Sequence, residues 1–324
     1  MTLQRRFAQT VAGFGALALA AVLLAPLVGP TPVSLRRVFN FSIPFTQNTD
    51  AQIFFIARLP RTLAAAGVVF QALLRNPLAC PYTLGVSAGA ALGAVLAITL
   101  NWSLPALGMS AVPVTAFVGS VAAVGIVYAL SQARHRGLST TVLLLAGVTL
   151  NALLSALILF LQYFSSFTDI YRTFRWLVGD LDISSYGPLA AALPLGIVAL
   201  AAFGWLARPL NLLSLGADHA ESRGLDAARA QRAAFFSASL ATGAAVSIGG
   251  PIGFVGIIIP HFVRLIVGPD HRLVLPAAAL FGAAFLVACD LIARTIVAPV
   301  QLPVGIVTAL VGGPFFLWLL VRRT

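Results

Sequence analysis

Long apolar stretches alternate with short polar connections along the whole chain. A stretch of about 20 apolar residues is long enough to cross a bilayer as a helix. We predict crossings at residues 7–28, 62–78, 82–100, 111–130, 142–163, 188–207, 233–248, 252–267, 273–293 and 303–321. The longest polar connections, residues 30–59, 165–187 and 208–232, are too short for a separate soluble domain. The expected fold is therefore all-α and polytopic, with about ten transmembrane helices in one membrane domain over residues 1–324.

The second stretch is abnormally short for a crossing. Only thirteen residues separate Arg61 from Arg75, and a helix of that length reaches about 20 Å. The hydrocarbon core of a bilayer is about 30 Å thick. Residues 62–78 therefore either cross with help from bilayer thinning and flanking residues, or do not cross at all. We favour the crossing.

The N-terminal stretch has two interpretations. Arg5 and Arg6 precede an apolar run from Val11 to Val28, as in a signal peptide or a first span. The run is long for the apolar part of a signal peptide, and the rest of the chain is also apolar. We interpret it as the first span.

Composition supports a membrane protein and excludes nucleic acid as a partner. The chain is 60% hydrophobic and 9% charged, with a mean hydropathy of +0.98. All twenty basic residues, which give a net charge of +11, are arginine. They lie singly or in pairs between apolar runs, without the interleaved aromatic residues of a nucleic-acid groove. Cys80 and Cys289 are too few for a disulfide framework and do not have metal-site spacing.

Arginine positions orient the downstream spans. Cytoplasmic loops are rich in arginine and lysine. If residues 208–232 are cytoplasmic, ten arginines from residue 134 onward lie inside, and only Arg172, Arg175 and Arg294 lie outside. Upstream, the counts leave the orientation open because it depends on whether residues 62–78 cross.

The connection 208–232 combines charged residues with leucines. Glu221 and several other charged residues surround Leu213, Leu215 and Leu225. This mixture predicts a short helix–turn–helix, with Gly216 and Gly224 as its breaks. Leucines among charges favour a docking element over a merely solvated loop.

Three further features concern helix packing. Gly85, Gly89 and Gly93 recur every four residues, which predicts one small-residue face for close packing in lipid. "GGPIGFVG" (249–256) and Pro260–His261 predict breaks in a helix, which membranes tolerate only inside protein or beside water. Asp290 and Arg294 are four residues apart and can pair on one helix face. We assign His261 no catalytic role.

No enzymatic site is expected. The chain has no lysine, so it has no phosphate-binding loop for ATP. It also lacks HExxH, CxxC and a credible catalytic triad. We expect no cofactor and no bound metal, and any energy from ATP must come from a partner.

A series of strings carries a family resemblance. In chain order they are "RLPR" (58–61), "QALLRNPLACPYTLGVSAGAALG" (71–93), "LSTTVLLLAGV" (138–148), "RPLNLLSLGADHAESRGLD" (208–226), "GPIGFVGIIIPHFVR" (250–264), "GPDHRLVLPAAALFGAAFLVACDLIAR" (268–294) and "LPVGIVTALVGGPFFLWLL" (302–320). Over nearly its whole length the chain resembles the membrane permeases of type II ABC importers for iron–siderophore complexes, haem and cobalamin.

The resemblance implies partners and a location. It implies a ten-span subunit of the bacterial inner membrane, which dimerises with a second permease subunit around one path. Two ATP-binding cassette ATPase subunits would lie below it, and a periplasmic or lipid-anchored substrate-binding protein above it.

The resemblance also implies roles for individual residues. Arg58, Arg61 and Arg294 match arginines that dock the binding protein. Leu78 and Thr140, with Thr141 beside it, match the inner gate. The 208–232 loop matches the ATPase-coupling loop. Within it, we expect the contacts at Leu213, Leu215, Gly216, Ala217, Glu221 and Gly224.

The predicted function is the permease subunit of an importer for a ferric siderophore or a similar large metal chelate. Haem or cobalamin import is the alternative. An ion-driven secondary transporter is a further one, although Asp290 is the only acidic residue deep in an apolar run. Relatives carry about ten more apolar residues inside the second span, so an inactive permease with a deleted second span also stays open.

Overall fold

The computed structural model describes residues 3–24, 60–104, 109–132, 139–180, 186–297 and 300–323. Over these residues the chain forms α1 (Leu3–Leu24), α2 (Pro60–Leu73), α3 (Val86–Thr99), α4 (Val112–Gln132), α5 (Thr140–Tyr163), α6 (Phe167–Val178), α7 (Tyr186–Leu213), α8 (Ala217–Ser222), α9 (Ala227–Gly249), α10 (Val255–Val267), α11 (His271–Thr295) and α12 (Val304–Arg323). A 3-10 turn (Pro81–Leu84) precedes α3, and β1 (Ser103–Leu104) pairs antiparallel with β2 (Met109–Ser110).

The all-α prediction is confirmed, because each of the ten predicted crossings contains a helix. By length and composition, four described helices are apolar enough to cross a membrane: α4, α5, α7 and α11. Others, including α2, α3 and α10, are apolar but shorter. In the connection 165–187 the apolar pattern missed the amphipathic helix α6, which Ser166 caps by accepting from the Asp169 amide at 3.3 Å.

Helix α2 lies at the centre of the bundle. It packs against α7, α9, α10 and α11, and residues 62–74 are all buried. Its small residues permit this: a Cβ added at Gly67 would lie 2.1 Å from the carbonyl oxygen of Gly256 in α10. Because other helices surround α2, this short helix does not have to match the thickness of the lipid hydrocarbon core.

One end of the bundle, here called the basic end, is defined by Arg6, Arg75, Gly216 and Asp270. Arg6 in α1 donates to the carbonyl of Val267, at the end of α10, at 3.0 Å. Arg75, just after α2, lies beside Gly216, where an added Cβ would be 3.7 Å from Nη1. The first residues of α1 and the last residues of α2 therefore lie at the basic end. This arrangement supports the crossing of the second segment.

The start of α2 lies well inside the bundle. Thr62 contacts the carbonyl of Ala241 at 3.5 Å, eight residues before the end of α9. Its Cγ2 would lie 3.4 Å from a Cβ added at Gly196, and Gly196 is ten residues after the start of α7. At about 1.5 Å per residue, α2 begins about 12 to 15 Å short of the end opposite the basic end. The deleted second span considered above stays a prediction, because the residues that precede Pro60 lie outside the described chain.

Candidate functional sites: the 208–232 loop, the α2–α10 contact and the gate segments

The 208–232 loop forms a short helix between two glycine breaks, as predicted. Helix α8 begins after Gly216, whose φ is +123°, and Gly224 follows it with φ +80°. Both values are strained for residues with a side chain, so glycine is required at these two turns. Asp226 then caps α9 by accepting from the Arg229 amide at 2.8 Å.

The leucines of this loop divide into two groups. Leu213 is buried against Ala220 and Ala227, and Leu225 packs on the same small cluster. Leu215, in contrast, is 69% exposed, and Glu221 is exposed as well. Leu213 therefore stabilises the loop, while Leu215 makes no comparable contribution to its packing.

The loop is tied to the α10–α11 connection by a polar cluster that sequence reasoning missed. Asn211, in the last turn of α7, donates to Asp270 at 2.8 Å and accepts from the His271 amide at 2.9 Å. Asp270 also pairs with Arg272 at 2.7 Å. These contacts join the root of the loop to the start of α11. No spacing rule relates Asn211 to Asp270, although "GPDHR" was part of a recognised string.

The Arg272 guanidinium holds the pKa of Asp270 at about 2, below its usual value, chiefly through their hydrogen bond. A depressed carboxyl pKa stabilises the fold above the unfolded-state value, and this contribution is lost as the pH falls toward 2. Asp270→Asn is therefore expected to cost about 1 kcal/mol, after allowing for solvent screening, equally at pH 6 and pH 8. Thermal unfolding in detergent at both pH values checks this. A difference between wild type and variant that changes across that range would contradict it.

Helix α10 begins where a break was predicted but continues through Pro260. Gly250 and Phe254 have φ values of +64° and +66°, which interrupt the helix before Val255. The predicted break at Pro260–His261 is wrong, since both residues lie inside α10. Proline has no amide proton for the carbonyl four residues earlier, which is that of Gly256. The Gln71 side chain donates to this carbonyl at 3.2 Å and so replaces the lost bond.

Gln71 also binds a half-buried cation. Its Oε1 accepts from Nη1 of Arg264 at 2.5 Å, and Gln71 itself is 3% exposed. One amide of α2 therefore satisfies both a free carbonyl and a guanidinium of α10. His261, one turn before Arg264, is buried at 8% exposure.

Two of the three spaced glycines pack as predicted. A Cβ at Gly89 would lie 2.3 Å from the Gly119 carbonyl, and one at Gly93 would lie 2.1 Å from that of Thr115. Helices α3 and α4 therefore touch along their backbones. Gly85 does not share this face: it precedes α3 with φ +84°, and a Cβ there would meet Leu150 at 3.3 Å. Its role is the turn itself.

The predicted gate residues lie on neighbouring segments. Leu78, 42% exposed, follows α2 in the turn toward Pro81. Thr140 is half-buried and Thr141 exposed in the first turn of α5. Two turns later, α5 meets the Pro81–Leu84 turn, where a Cβ at Gly147 would lie 2.2 Å from the Thr83 carbonyl.

The predicted docking arginines are only partly described. Arg294 binds Asp290 at 2.9 Å, and the two side chains are 18% and 13% exposed. The pairing expected from their spacing is therefore confirmed. Arg58 lies outside the described residues, as does the side chain of Arg61, whose backbone is the second residue of α2.

Comparison with known proteins decides the family. The model of the FecCD transport family matches residues 17–322. The chain belongs to the FecCD transport family. The recognition made from the strings is thereby confirmed, and ABC importer permeases are its relatives.

Curated relatives of this permease are named for the transport of different compounds. It is 40% identical to the hemin transport system permease protein HmuU of Yersinia pestis, over 91% of this chain and 90% of that protein. It is 38% identical to the cobalamin import system permease protein BtuC of Halobacterium salinarum, covering 96% and 95%. A probable siderophore transport system permease protein of Bacillus subtilis, YfiZ, is 34% identical, covering 94% and 93%.

A solved structure shares the fold of this permease. It is described as an inward-facing conformation of a metal-chelate type ABC transporter. The TM-score is 0.84 at 29% identity, and the match covers 98% of this chain and 100% of the other. This permease therefore has the overall fold of a solved ABC transporter.

Proposed function

We propose that this permease imports a large metal chelate across the bacterial inner membrane, with a ferric siderophore as the first candidate. Support comes from the family match over nearly the whole chain, together with the related fold of a metal-chelate transporter. The relatives named for hemin and cobalamin keep those two cargoes as the alternative. ATP hydrolysis is assigned to partner subunits.

The proposed ATPase contact is the 208–232 loop, with a second ATPase subunit beneath a second permease. Leu215 and Glu221 supply exposed apolar and acidic contacts. Gly216, Ala217 and Gly224 shape the turns around them, and Leu213 holds the element together. Closure of the ATPases would move α8 and, through Asn211 and Asp270, the spans α7 and α11.

The basic end is proposed to face the cytoplasm. Nine arginines whose side chains the structure describes lie at this end, namely residues 5, 6, 75, 208, 223, 229, 232, 264 and 272. Arg172, Arg175 and Arg294 lie toward the other end. This excess fits cytoplasmic loops. Leu78, Thr140 and Thr141 then lie on the cytoplasmic side, where we propose the inner gate.

Docking of a binding protein is proposed at the opposite end. Arg294 is the described candidate, although its charge is already paired with Asp290. Arg61 is a weaker candidate than the sequence implied. Its position beside Thr62 places its backbone about 12 to 15 Å inside the bundle. We propose that residues 1–324 form one membrane domain that pairs with a second permease copy or a related subunit.

Cargo is tested by reconstituting the permease with its ATPase subunits and its cognate binding protein. Binding protein loaded with ferric siderophore is expected to raise ATP hydrolysis several-fold above the unloaded protein. Protein incubated with haem or cobalamin serves as the matched control. Stimulation by one of those two, and not by the siderophore, would transfer the proposal to that cargo.

A further inference from the structure

A groove of about 1070 Å³ opens between α1, α7 and α11 at the basic end, with Ala65 of α2 in its floor. Its walls are almost entirely apolar, including Phe7 and Leu275. The volume is at the upper end of the range for ligand sites in proteins. The 208–232 loop reaches its rim through Leu225.

Small residues create the groove. A Cβ added at Gly204 in α7 would meet nothing within 4 Å, and Ala207 and Ala279 line the walls nearby. The groove extends along α7 from Arg208 to Leu200, which is about 12 Å along the helix axis. It therefore runs from the basic end into the apolar layer, in the direction of an acyl chain.

The polar residues of the groove are confined to one end. Gln4, Arg208 and Arg272 lie at this end, and none of the described lining residues is acidic. The charge of Arg272 is balanced by Asp270. Arg208 is exposed and forms no ion pair with any part of the chain that the structure describes. Trp205, 62% exposed beside it, is of the type that anchors at the membrane interface.

We propose that this groove binds an anionic phospholipid of the cytoplasmic leaflet, with the phosphate at Arg208 and an acyl chain passing Gly204. The unbalanced cation selects an anionic headgroup, and the apolar walls select a lipid over a soluble anion. The bound lipid would contact α1, α7 and α11 together with Leu225, at the root of the 208–232 loop. The lipid composition of the membrane would then influence the 208–232 loop, which is proposed to contact the ATPase subunit. The lipid site itself does not depend on the cargo, while its assignment to the cytoplasmic leaflet rests on the orientation proposed above.

Native mass spectrometry of the purified full chain in detergent tests the proposal. Phosphatidylglycerol and phosphatidylcholine with identical acyl chains are added in parallel. The wild type is expected to retain phosphatidylglycerol about fivefold better, which corresponds to one arginine near an anionic headgroup. Arg208→Gln should remove the preference and keep the lipid. Gly204→Leu should displace both lipids by filling the groove.

Gly125→Leu is the matched control, because a Cβ there also meets nothing within 4 Å and α4 does not line the groove. It should bind lipid as the wild type does. Equal retention of the two lipids by the wild type overturns the proposal, as does unchanged retention by Gly204→Leu. Competition by inorganic phosphate would indicate a soluble anion instead. A shift in oligomeric mass caused by Gly204→Leu would show that a second copy of the chain occupies the groove.

Discussion

Gln71→Leu is expected to destabilise the protein by about 3 kcal/mol. The substitution removes the acceptor of the Arg264 guanidinium and the donor to the Gly256 carbonyl. A hydrogen bond to a charged group contributes about 1.5 to 3 kcal/mol, and a buried carbonyl left unpaired costs about 1 to 3 kcal/mol. Relaxation of the Arg264 side chain reduces the sum. Chemical unfolding in detergent measures the effect.

Gln132→Leu is the control for the same change of side chain. Gln132 is half-buried at the end of α4 and donates only to the Tyr128 hydroxyl, at 3.2 Å. We expect its substitution to cost about 1 kcal/mol or less. If Gln71→Leu were no more destabilising than Gln132→Leu, the α2–α10 contact would not have the structural role given to it here.

Leu215→Asp is expected to reduce ATP-driven uptake at least tenfold while leaving the permease folded. Leu215 is 69% exposed, so a charge there disturbs no core. In the proposed complex with the ATPase subunit, the aspartate would place an unpaired carboxylate in an apolar contact. A hot-spot residue near the centre of an interface contributes about 2 kcal/mol or more, equivalent to about thirtyfold in affinity. Co-purification with the ATPase subunits and uptake by proteoliposomes measure the two effects.

Ala228→Asp provides the matched control for this charge. Ala228 is exposed in the first turn of α9, within the 208–232 loop but outside the six residues proposed to make or shape the ATPase contact. It should retain ATPase binding and uptake. If Leu215→Asp behaved in the same way, the proposed docking role of the loop would be wrong.

The positions of the helices could be predicted from the sequence because apolar runs of membrane length have few other structures available to them. The turns at Gly216 and Gly224 were also predictable, since their positive φ values require glycine. Helix α6 was missed because its apolar and polar residues alternate with helical spacing and form no continuous apolar run.

Tertiary contacts set the limit of the sequence prediction. Length alone made the second span doubtful, but the structure surrounds α2 with four helices, so protein and not lipid determines its environment. Pro260 was predicted to break α10, yet the Gln71 amide, 185 residues earlier than Gly256, satisfies the freed carbonyl. Asn211 and Asp270 are 59 residues apart. Such pairings depend on how helices meet, and a single sequence does not contain that information.

The contacts made by α2 extend to the basic end of the bundle. The inner part of this span keeps Gly67, Gln71 and Arg75 in contact with α10 and the 208–232 loop. These contacts connect the second predicted span to α10 and to the loop proposed to contact the ATPase subunits.

Uptake of radiolabelled ferric siderophore by proteoliposomes is the most direct test of the central claim. The liposomes contain the permease with its ATPase subunits and are supplied with the cognate binding protein. The account predicts accumulation that requires ATP on the ATPase side and persists when proton and sodium gradients are collapsed. Accumulation that follows an ion gradient without the ATPase subunits would contradict it.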